Sequence, residues 1–175
     1  MDISNYDYVE PKGLDGKIIL THFPGRKGEE KLFNYKIFIE ELKTFHQLKC
    51  GAIVSLVEDT EFEKMYDKKL FVREIYNNNL SWFHLPIVDL KVPKHKFIDK
   101  WQTIKSLLKN ELVDGNNIVI HCMGGKGRSG TIAAILLVEF GVSNKEAIDI
   151  VRKQRKGAIE TTEQEDFILS YRINS

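Results

Sequence analysis

The sequence predicts an α/β protein in which a mostly parallel central sheet is flanked by helices. Short apolar runs rich in β-branched residues alternate with longer segments in which apolar residues recur every three or four positions. The short runs at residues 17–23, 51–57, 81–85 and 117–121 are typical of strands, and 51–57 (GAIVSLV) is apolar enough for a buried strand. Strands that alternate with helices normally build one layered domain with a parallel sheet.

The remaining pattern predicts helices at residues 32–48, in pieces at 58–79, and across 97–112. Three more are expected to begin near Ser129, Ser143 and Thr161. The helix after Ser129 is apolar almost all round, so it should be buried, and it should end at Gly141, a typical C-cap residue. Ser143 and Thr161 each precede a Glu or Gln by three residues, which is the spacing of a capping box.

Length and composition fit a single domain that spans residues 1–175, in which residues 1–15 form a loosely ordered arm. The net charge of +1 and the lack of an apolar run near 18 residues argue against nucleic-acid binding and membrane insertion. Two cysteines, Cys50 and Cys122, favour a reducing compartment, and we expect a cytoplasmic monomer. No signal peptide and no metal-ligand spacing are visible, so we expect no cofactor.

The segment VIHCMGGKGRSGTIAAILL (residues 119–137) places Cys122 between a predicted buried strand and the N-terminus of a buried helix. Cysteine attacks as a thiolate, and a helix N-terminus with a nearby arginine favours that anion. Gly124, Gly125 and Gly127 permit positive φ angles, which would turn successive N–H groups inward. Such a ring of amides binds a tetrahedral dianion, so the residues from Met123 to Arg128, including Lys126, are predicted to bind phosphate.

Three neighbours of Cys122 have predicted roles. Arg128 can hold two phosphate oxygens at once, which a lysine cannot do. Ser129 can donate a hydrogen bond to the sulfur and so ease its departure in a second half-reaction. His121 is expected to brace the loop by hydrogen bonding and not to act as a base.

These residues carry a family resemblance. HCMGGKGRS resembles the His-Cys-x-x-Gly-x-x-Arg-Ser/Thr signature of cysteine-dependent protein tyrosine and dual-specificity phosphatases. THFPG, FHLPIVDLKVP and GAIETTEQEDFILSYR are similar to the branch of cyclin-dependent-kinase-associated phosphatases, so that the resemblance covers residues 17–172. The resemblance implies hydrolysis of phosphotyrosine and of phosphoserine or phosphothreonine through a phosphocysteine, without a metal. The implied partner is a phosphorylated protein, and a kinase is one candidate.

The resemblance also implies a general acid in a Pro-x-x-Asp-x-x-x-Pro setting. PIVDLKVP offers Asp89, and the alternative is that Asp89 only caps the following turn. Asp99 and Asp114 are weaker candidates. Gln164 stands where related phosphatases place a glutamine that orients the hydrolytic water, but it also belongs to the predicted capping box of Thr161.

Several interpretations stay open. Lys126 resembles a lysine of phosphoinositide phosphatases, although Met123 stands where those enzymes carry another lysine. Lys126 would either bind a second phosphate of the substrate or only add positive potential. A phosphoinositide phosphatase, or a phosphate-binding or kinase-binding module with little turnover, is therefore the alternative function. Cys50 would either pair with an oxidised Cys122 or simply be buried.

Two basic segments also have alternative interpretations. The run RKQRKG (residues 152–157) would either attract an acidic substrate or form a solvated helix face. In FPGRK (residues 23–27), Arg26 and Lys27 would approach the phosphate site.

Overall fold

The computed structural model describes residues 6–27 and 32–173 and shows an α/β architecture. The strands are β1 (Tyr6–Val9), β2 (Ile18–Thr21), β3 (Arg26–Lys27), β4 (Leu32–Phe33), β5 (Cys50–Ser55), β6 (Ser81–His84) and β7 (Asn117–His121). The helices are α1 (Tyr35–Gln47), α2 (Asp59–Met65), α3 (Lys68–Asn77), α4 (His95–Val113), α5 (Gly127–Glu139), α6 (Asn144–Gln154) and α7 (Thr162–Ser170).

Five strands form the central sheet in the order β1-β2-β7-β5-β6. Strands β2, β7, β5 and β6 are parallel, and β1 pairs antiparallel with β2. The short strands β3 and β4 form a separate antiparallel pair. The predicted mostly parallel sheet is therefore confirmed. Because β7 is the third of five strands, its carboxyl end at His121 lies in the middle of the row formed by the strand ends, beside Thr21 and Ser55.

Two hydrophobic layers cover the sheet. Along β7, Ile118 and Ile120 belong to the layer that contains α4, α5 and α6, whereas Val119 belongs to the layer that contains Phe38 of α1 and Phe71 of α3. This alternation follows from the two-residue period of a strand. Every residue of α5 is buried, as its apolar sequence predicts. The segment between β7 and α5 is consequently clamped at both ends by buried elements.

The N-terminal arm is more ordered than predicted. Tyr6–Val9 pairs with Ile18–Thr21 as an edge strand, and the Val9 side chain is fully buried. The prediction of a loosely ordered arm over residues 1–15 is therefore wrong for β1, while residues 1–5 lie outside the described residues. The sequence YDYV contains little local signal, because an edge strand needs apolar contacts on only one face and hydrogen bonds on only one side.

Element boundaries differ from prediction where side chains cap the backbone. Helix α1 begins at Tyr35 and not at residue 32, because Ile37 N–H donates to Asn34 Oδ1 at 3.0 Å and residues 32–33 form β4. Gly141 has a φ of +86°, which agrees with its predicted position after α5.

Among the described residues, no helix combines the length and apolar character needed to cross a membrane.

Cys50 lies at the opposite end of the sheet from Cys122. It pairs with Asn117 at the start of β7, and Cys122 follows five residues later, so about 16 Å of strand separates the two cysteines. A disulfide requires Cα atoms within about 7 Å, so the interpretation in which Cys50 pairs with an oxidised Cys122 is wrong for the folded chain. Burial raises the pKa of the Cys50 thiol to about 12, which agrees with a packing role.

Candidate active site

Residues 122–128, which follow β7 and include the first two residues of α5, are called the cysteine loop below. The Cys122 side chain is almost fully buried, and its Sγ accepts a hydrogen bond from Gly125 N–H at 3.1 Å. Ser129 Oγ lies 3.6 Å from the same sulfur. The predicted strand-loop-helix arrangement is present, although α5 begins at Gly127, two residues before the predicted start. The sulfur therefore sits inside the turn, against the first turn of a buried helix.

The carbonyl groups of the cysteine loop are held from outside the turn. His121 Nδ1 lies 3.2 Å from Cys122 O, and Met123 O accepts from Phe23 N–H at 3.2 Å and from Arg26 Nη1 at 2.9 Å. Arg155 Nε donates to Gly125 O. Farther along, Lys126 O accepts hydrogen bonds from the backbone N–H groups of Gly130 and Ile159.

This arrangement decides where the N–H groups of the loop point. All peptide bonds described are trans, and across a trans peptide the N–H points opposite to the preceding carbonyl. The N–H groups of Met123, Gly124 and Lys126 therefore face away from the donors that hold residues 122, 123 and 125. None of these three N–H groups donates a hydrogen bond within residues 6–27 and 32–173. They are available to an anion beside the sulfur.

Only one of the three glycines predicted to take positive φ does so. Gly125 has a φ of +70°, and a Cβ there would lie 2.4 Å from the carbonyl carbon of Thr21. Gly124 and Gly127 do not have positive φ angles, so the prediction is wrong for them. At Gly127 a Cβ would instead approach Glu160 Oε2 to 2.4 Å, whereas the space beside Gly124 is open.

His121 links the loop to the sheet, as predicted for a bracing residue. Its Nε2 lies 2.6 Å from Ser55 Oγ, and Trp82 Nε1 donates to that oxygen at 2.8 Å. We assign the Ser55 hydroxyl as donor to Nε2, which leaves Nδ1–H to donate to Cys122 O. Burial lowers the pKa of His121 to about 3, so the ring stays neutral in the folded chain.

Arg128 is fully buried at the start of α5, and two carboxylates share its guanidinium. Glu61 on α2 binds it through both oxygens, at 2.6 Å to Nη1 and 2.9 Å to Nη2. Asp89 Oδ1 lies 3.0 Å from Nη2, and Ile87 O accepts from Nη1 at 3.0 Å. Among the described residues, Nε of Arg128 has no hydrogen-bond partner.

Glu61 was not predicted from the sequence, because it lies in a charged helical segment without a motif. Burial opposes the charges of both Glu61 and Arg128, but the hydrogen bonds between them outweigh it. The pKa of Glu61 is therefore lowered, and the pKa of Arg128 is raised by Glu61, Cys122 and Asp89. The structure thus assembles a fixed cation beside the sulfur from α2, α5 and the loop that carries Asp89.

Asp89 reaches the cysteine loop from the segment between β6 and α4. Its side chain is 64% exposed, and its Oδ1 also accepts Leu90 N–H at 3.0 Å, as expected for a residue that caps a turn. Lys91 Nζ forms a 3.2 Å ion pair with Glu163 on α7. The structure therefore brings Asp89 to Arg128 while retaining the turn contact of the alternative interpretation.

Gln164 is buried and has capping contacts. Its Oε1 accepts from Glu160 N–H at 3.0 Å and Thr161 N–H at 3.3 Å, and its Nε2 donates to Lys91 O at 3.3 Å. The capping alternative accounts for the contact with Thr161, and Lys91 O uses only one of the two N–H groups of Nε2. Lys126 is exposed, and Met123 is half-buried.

Arg26 and Arg155 make contacts that the sequence did not predict. Arg26 contacts the carbonyl side of the loop, through Met123 O, and does not extend to the amide side. Arg155, within residues 152–157, is 6% exposed and donates to Gly125 O, so it belongs neither to a solvated face nor to an exposed basic patch. Both are supports of the cysteine loop that the sequence did not identify.

The chain matches known phosphatases over most of its length. The family model described as "Swiss Army Knife protein, DSP-PTPase phosphatase domain" matches residues 38–168. Protein tyrosine phosphatase type IVA 3 of Bos taurus is 32% identical over 166 residues, which are 94% of this chain and 83% of that protein. Protein tyrosine phosphatase type IVA 2 of Mus musculus is 27% identical over 81% of this chain and 74% of that protein.

Solved structures have the same fold. Kinase associated phosphatase (KAP), with serine in place of its catalytic-site cysteine, has a TM-score of 0.79 at 24% identity and covers 97% of both chains. The active form of Tk-PTP has a TM-score of 0.68 at 29% identity, covering 95% of this chain and 97% of that one. PTPMT1 in complex with PI(5)P has a TM-score of 0.65 at 16% identity, covering 87% of each.

The chain belongs to the DSP-PTPase phosphatase domain family of cysteine-based protein tyrosine and dual-specificity phosphatases. The predicted resemblance is therefore confirmed, and so is a protein phosphatase fold. At 24% identity the likeness to KAP shows a common fold.

The two adjacent glycines of the loop give a matched test of its geometry. Gly125→Ala should lower phosphatase activity at least 100-fold, because the new Cβ would collide with the Thr21 backbone at a positive φ. Gly124→Ala should keep activity within about threefold, because its Cβ meets open space. Steady-state kinetics with an aryl phosphate measures both. Equal losses in the two variants would contradict this geometry of the turn.

The buried His121 should make stability depend on pH. The pKa of His121 is about 3 in the folded chain, below its ordinary value of 6.5. Between these values the unfolded chain binds a proton at this residue and the folded chain does not, so stability falls as pH drops from 6.5 towards 3. This residue alone should cost about 1.4 kcal/mol per pH unit in that window. Urea unfolding at several pH values between 4.5 and 7.5 gives the free energy of unfolding as a function of pH. That free energy should change less with pH in His121→Asn than in wild type. The exposed His46→Asn is the control, and identical slopes for wild type and His121→Asn would contradict the assignment.

Proposed function

We propose that the chain hydrolyses phosphomonoesters on proteins through a phosphocysteine intermediate, with Cys122 as nucleophile, Arg128 as phosphate clamp and Asp89 as general acid. One observation carries this proposal: Cys122 Sγ accepts Gly125 N–H at 3.1 Å in a loop where the N–H groups of Met123, Gly124 and Lys126 are unoccupied among the described residues, beside an arginine that contacts Asp89 at 3.0 Å. Nucleophile, anion site and proton donor therefore converge.

In the first step the Cys122 thiolate attacks phosphorus, and the bond between phosphorus and the ester oxygen breaks. Asp89 gives its proton to that leaving oxygen. The inward N–H groups and Arg128 bind the equatorial oxygens, where charge develops. Arg128 Nε is unpaired among the described residues, while Nη2 contacts Asp89, so a phosphate that uses both nitrogens must displace Asp89 from Nη2. That displacement leaves the carboxyl group free to face the leaving oxygen.

In the second step water attacks phosphorus and the S–P bond breaks. Asp89 takes the proton from the water, and the sulfur leaves as a thiolate. Ser129 Oγ, 3.6 Å from Sγ, and Gly125 N–H support that negative charge. Inorganic phosphate departs, and the thiolate and protonated Asp89 are restored for the next cycle.

We propose dual specificity, meaning phosphotyrosine with phosphoserine or phosphothreonine, in a cytoplasmic monomer. The sequence contains no inserted segment that would build a deep pocket for tyrosine alone. The type IVA relatives are named as tyrosine phosphatases, which supports the phosphotyrosine part of the proposal. The fold shared with a kinase associated phosphatase makes a phosphorylated kinase one candidate substrate.

A phosphopeptide panel tests the substrate class against the alternative. Peptides with phosphotyrosine, phosphothreonine and phosphoserine should be turned over faster than soluble inositol phospholipids. Preference for the lipids would favour the phosphoinositide alternative that the exposed Lys126 suggests. Binding of every ligand without turnover would instead indicate a phosphate-binding module.

The nucleophile is tested with Cys122→Ser. Turnover should fall below detection, because serine is a far weaker nucleophile at neutral pH, while a phosphopeptide should bind within about fivefold of wild type. Single-turnover kinetics and calorimetry measure the two effects. Cys50→Ser is the matched control and should keep activity. Residual turnover in Cys122→Ser, or loss of binding with the fold intact, would argue against the proposed role.

The general acid is tested with Asp89→Ala. Turnover of a phosphoserine peptide, whose alkoxide leaves poorly, should fall about 10²- to 10⁴-fold, and turnover of p-nitrophenyl phosphate much less. Inorganic phosphate should bind more tightly, because the carboxylate no longer competes for Arg128 Nη2. Asp99→Ala, an exposed aspartate on α4, is the control. An equal loss for both ester types would exclude Asp89 as the acid.

A further inference from the structure

Arg155 is a buried cation outside the reaction centre that touches the cysteine loop. It follows the last residue of α6, and its side chain is 7% exposed. Nε donates to Gly125 O, and Nη1 forms a 2.6 Å ion pair with Asp7 Oδ2. A guanidinium loses much of its hydration on such burial, so it persists only where its N–H groups find acceptors. Here those acceptors are one loop carbonyl and one carboxylate.

The hydrogen bond to Gly125 O has a directional consequence. Gly125 O and Lys126 N–H belong to one trans peptide, so a donor that pulls the carbonyl outward turns the N–H toward the sulfur side. The N–H of Gly125 itself is already held on Cys122 Sγ at 3.1 Å. Arg155 thus holds the peptide plane between Gly125, whose N–H contacts the sulfur, and Lys126, the residue before α5.

Asp7 connects this contact to the N-terminal edge strand. It pairs with Leu20 of β2 within the sheet, and the next residue of β2, Thr21, is the one whose backbone packs against Gly125. The Asp7 carboxylate, on β1, therefore contacts Arg155 close to the part of β2 that packs against Gly125 of the cysteine loop. Residues 7, 125 and 155 are far apart in sequence and form one chain of contacts.

We propose that Arg155 is a positioning residue for the phosphate site and that Asp7 orients it. Through Gly125 O, Arg155 holds Lys126 N–H toward the bound phosphate. This inference rests on the proposed function for its effect on catalysis, but its effect on phosphate binding can be measured without turnover.

A purely structural role for Arg155 predicts a different result. Its backbone N–H also ends α6 by donating to Val151 O, and its side chain joins β1 to the helical layer. Loss of those contacts alone would lower the melting temperature. It would leave the phosphate affinity and kcat of the folded fraction unchanged.

The experiment compares Arg155→Met, Arg155→Lys and Asp7→Asn with wild type in the full chain. The inhibition constant of inorganic phosphate and kcat/KM for an aryl phosphate are measured well below each melting temperature. For Arg155→Met we expect phosphate to bind about 10- to 100-fold more weakly, the range for one hydrogen bond to a charged group. Arg155→Lys keeps the charge, but an ammonium group lacks the planar set of N–H donors with which the guanidinium binds Gly125 O and Asp7. We therefore expect an intermediate loss.

Asp7→Asn keeps Arg155 and should weaken phosphate binding about three- to tenfold, which decides the matter if Arg155→Met does not fold. Lys156→Met is the matched control, because it removes an adjacent exposed positive charge, and it should stay within twofold of wild type. A folded Arg155→Met with wild-type phosphate affinity and kcat/KM would overturn the proposal. Equal losses in Lys156→Met would do so as well, since general electrostatics would then suffice.

The proposed function can fail separately. If wild type turns over no phosphoester, calorimetry of inorganic phosphate with the same variants still tests the positioning role.

Discussion

The site depends on the outward fixation of the carbonyl groups in the cysteine loop. The loop lies between a buried strand and a buried helix, and the carbonyls of residues 122, 123 and 125 obtain partners from His121, Arg26 and Arg155. Since each peptide is planar, the opposite N–H groups are left to converge beside one sulfur. The proposed anion site would thus be a consequence of where the surrounding donors stand.

Burying Arg128 beside this ring creates an electrostatic conflict that the structure resolves with carboxylates. A lone buried guanidinium would be costly, and Glu61 offsets that cost with a bidentate pair. Glu61 occupies Nη1 and one position on Nη2, whereas Asp89 is exposed and held less firmly. Glu61 therefore holds the arginine through two hydrogen bonds, and in the proposed function Asp89 gives way to phosphate. In that proposal the same cation orients the anion and keeps the proton donor close.

The parts of this arrangement that could be predicted from the sequence are local in the chain. The apolar strand β7, the glycine-rich turn and the buried helix α5 are contiguous, so their pattern predicts Cys122, Arg128 and His121 together. Asp89 was found through a resemblance whose motif is also local. The mostly parallel direction of the sheet followed from the alternation of apolar strands with helices, because parallel strands require crossover connections.

The parts that could not be predicted come from distant segments. Glu61, Ser55 and Arg155 are polar residues in unremarkable surroundings, and only the fold brings them to the loop. For the same reason the charged run at residues 152–157 could not be divided into its buried and solvated members. Strand β1 was missed because its pairing with β2 leaves almost no periodic signal in four residues. The Cys50 hypothesis failed because residue type alone contains no information about distance along a strand.

The most direct test of the central claim is the alkylation of Cys122 by iodoacetamide near pH 6.5, followed by mass spectrometry with and without inorganic phosphate. If the converging amides and Arg128 keep the sulfur anionic, Cys122 should react much faster than a free cysteine at that pH, and phosphate should protect it, while Cys50 stays unmodified. If Cys122 reacts no faster than a free cysteine and phosphate changes nothing, then the amide ring does not hold an anion and the claim is wrong.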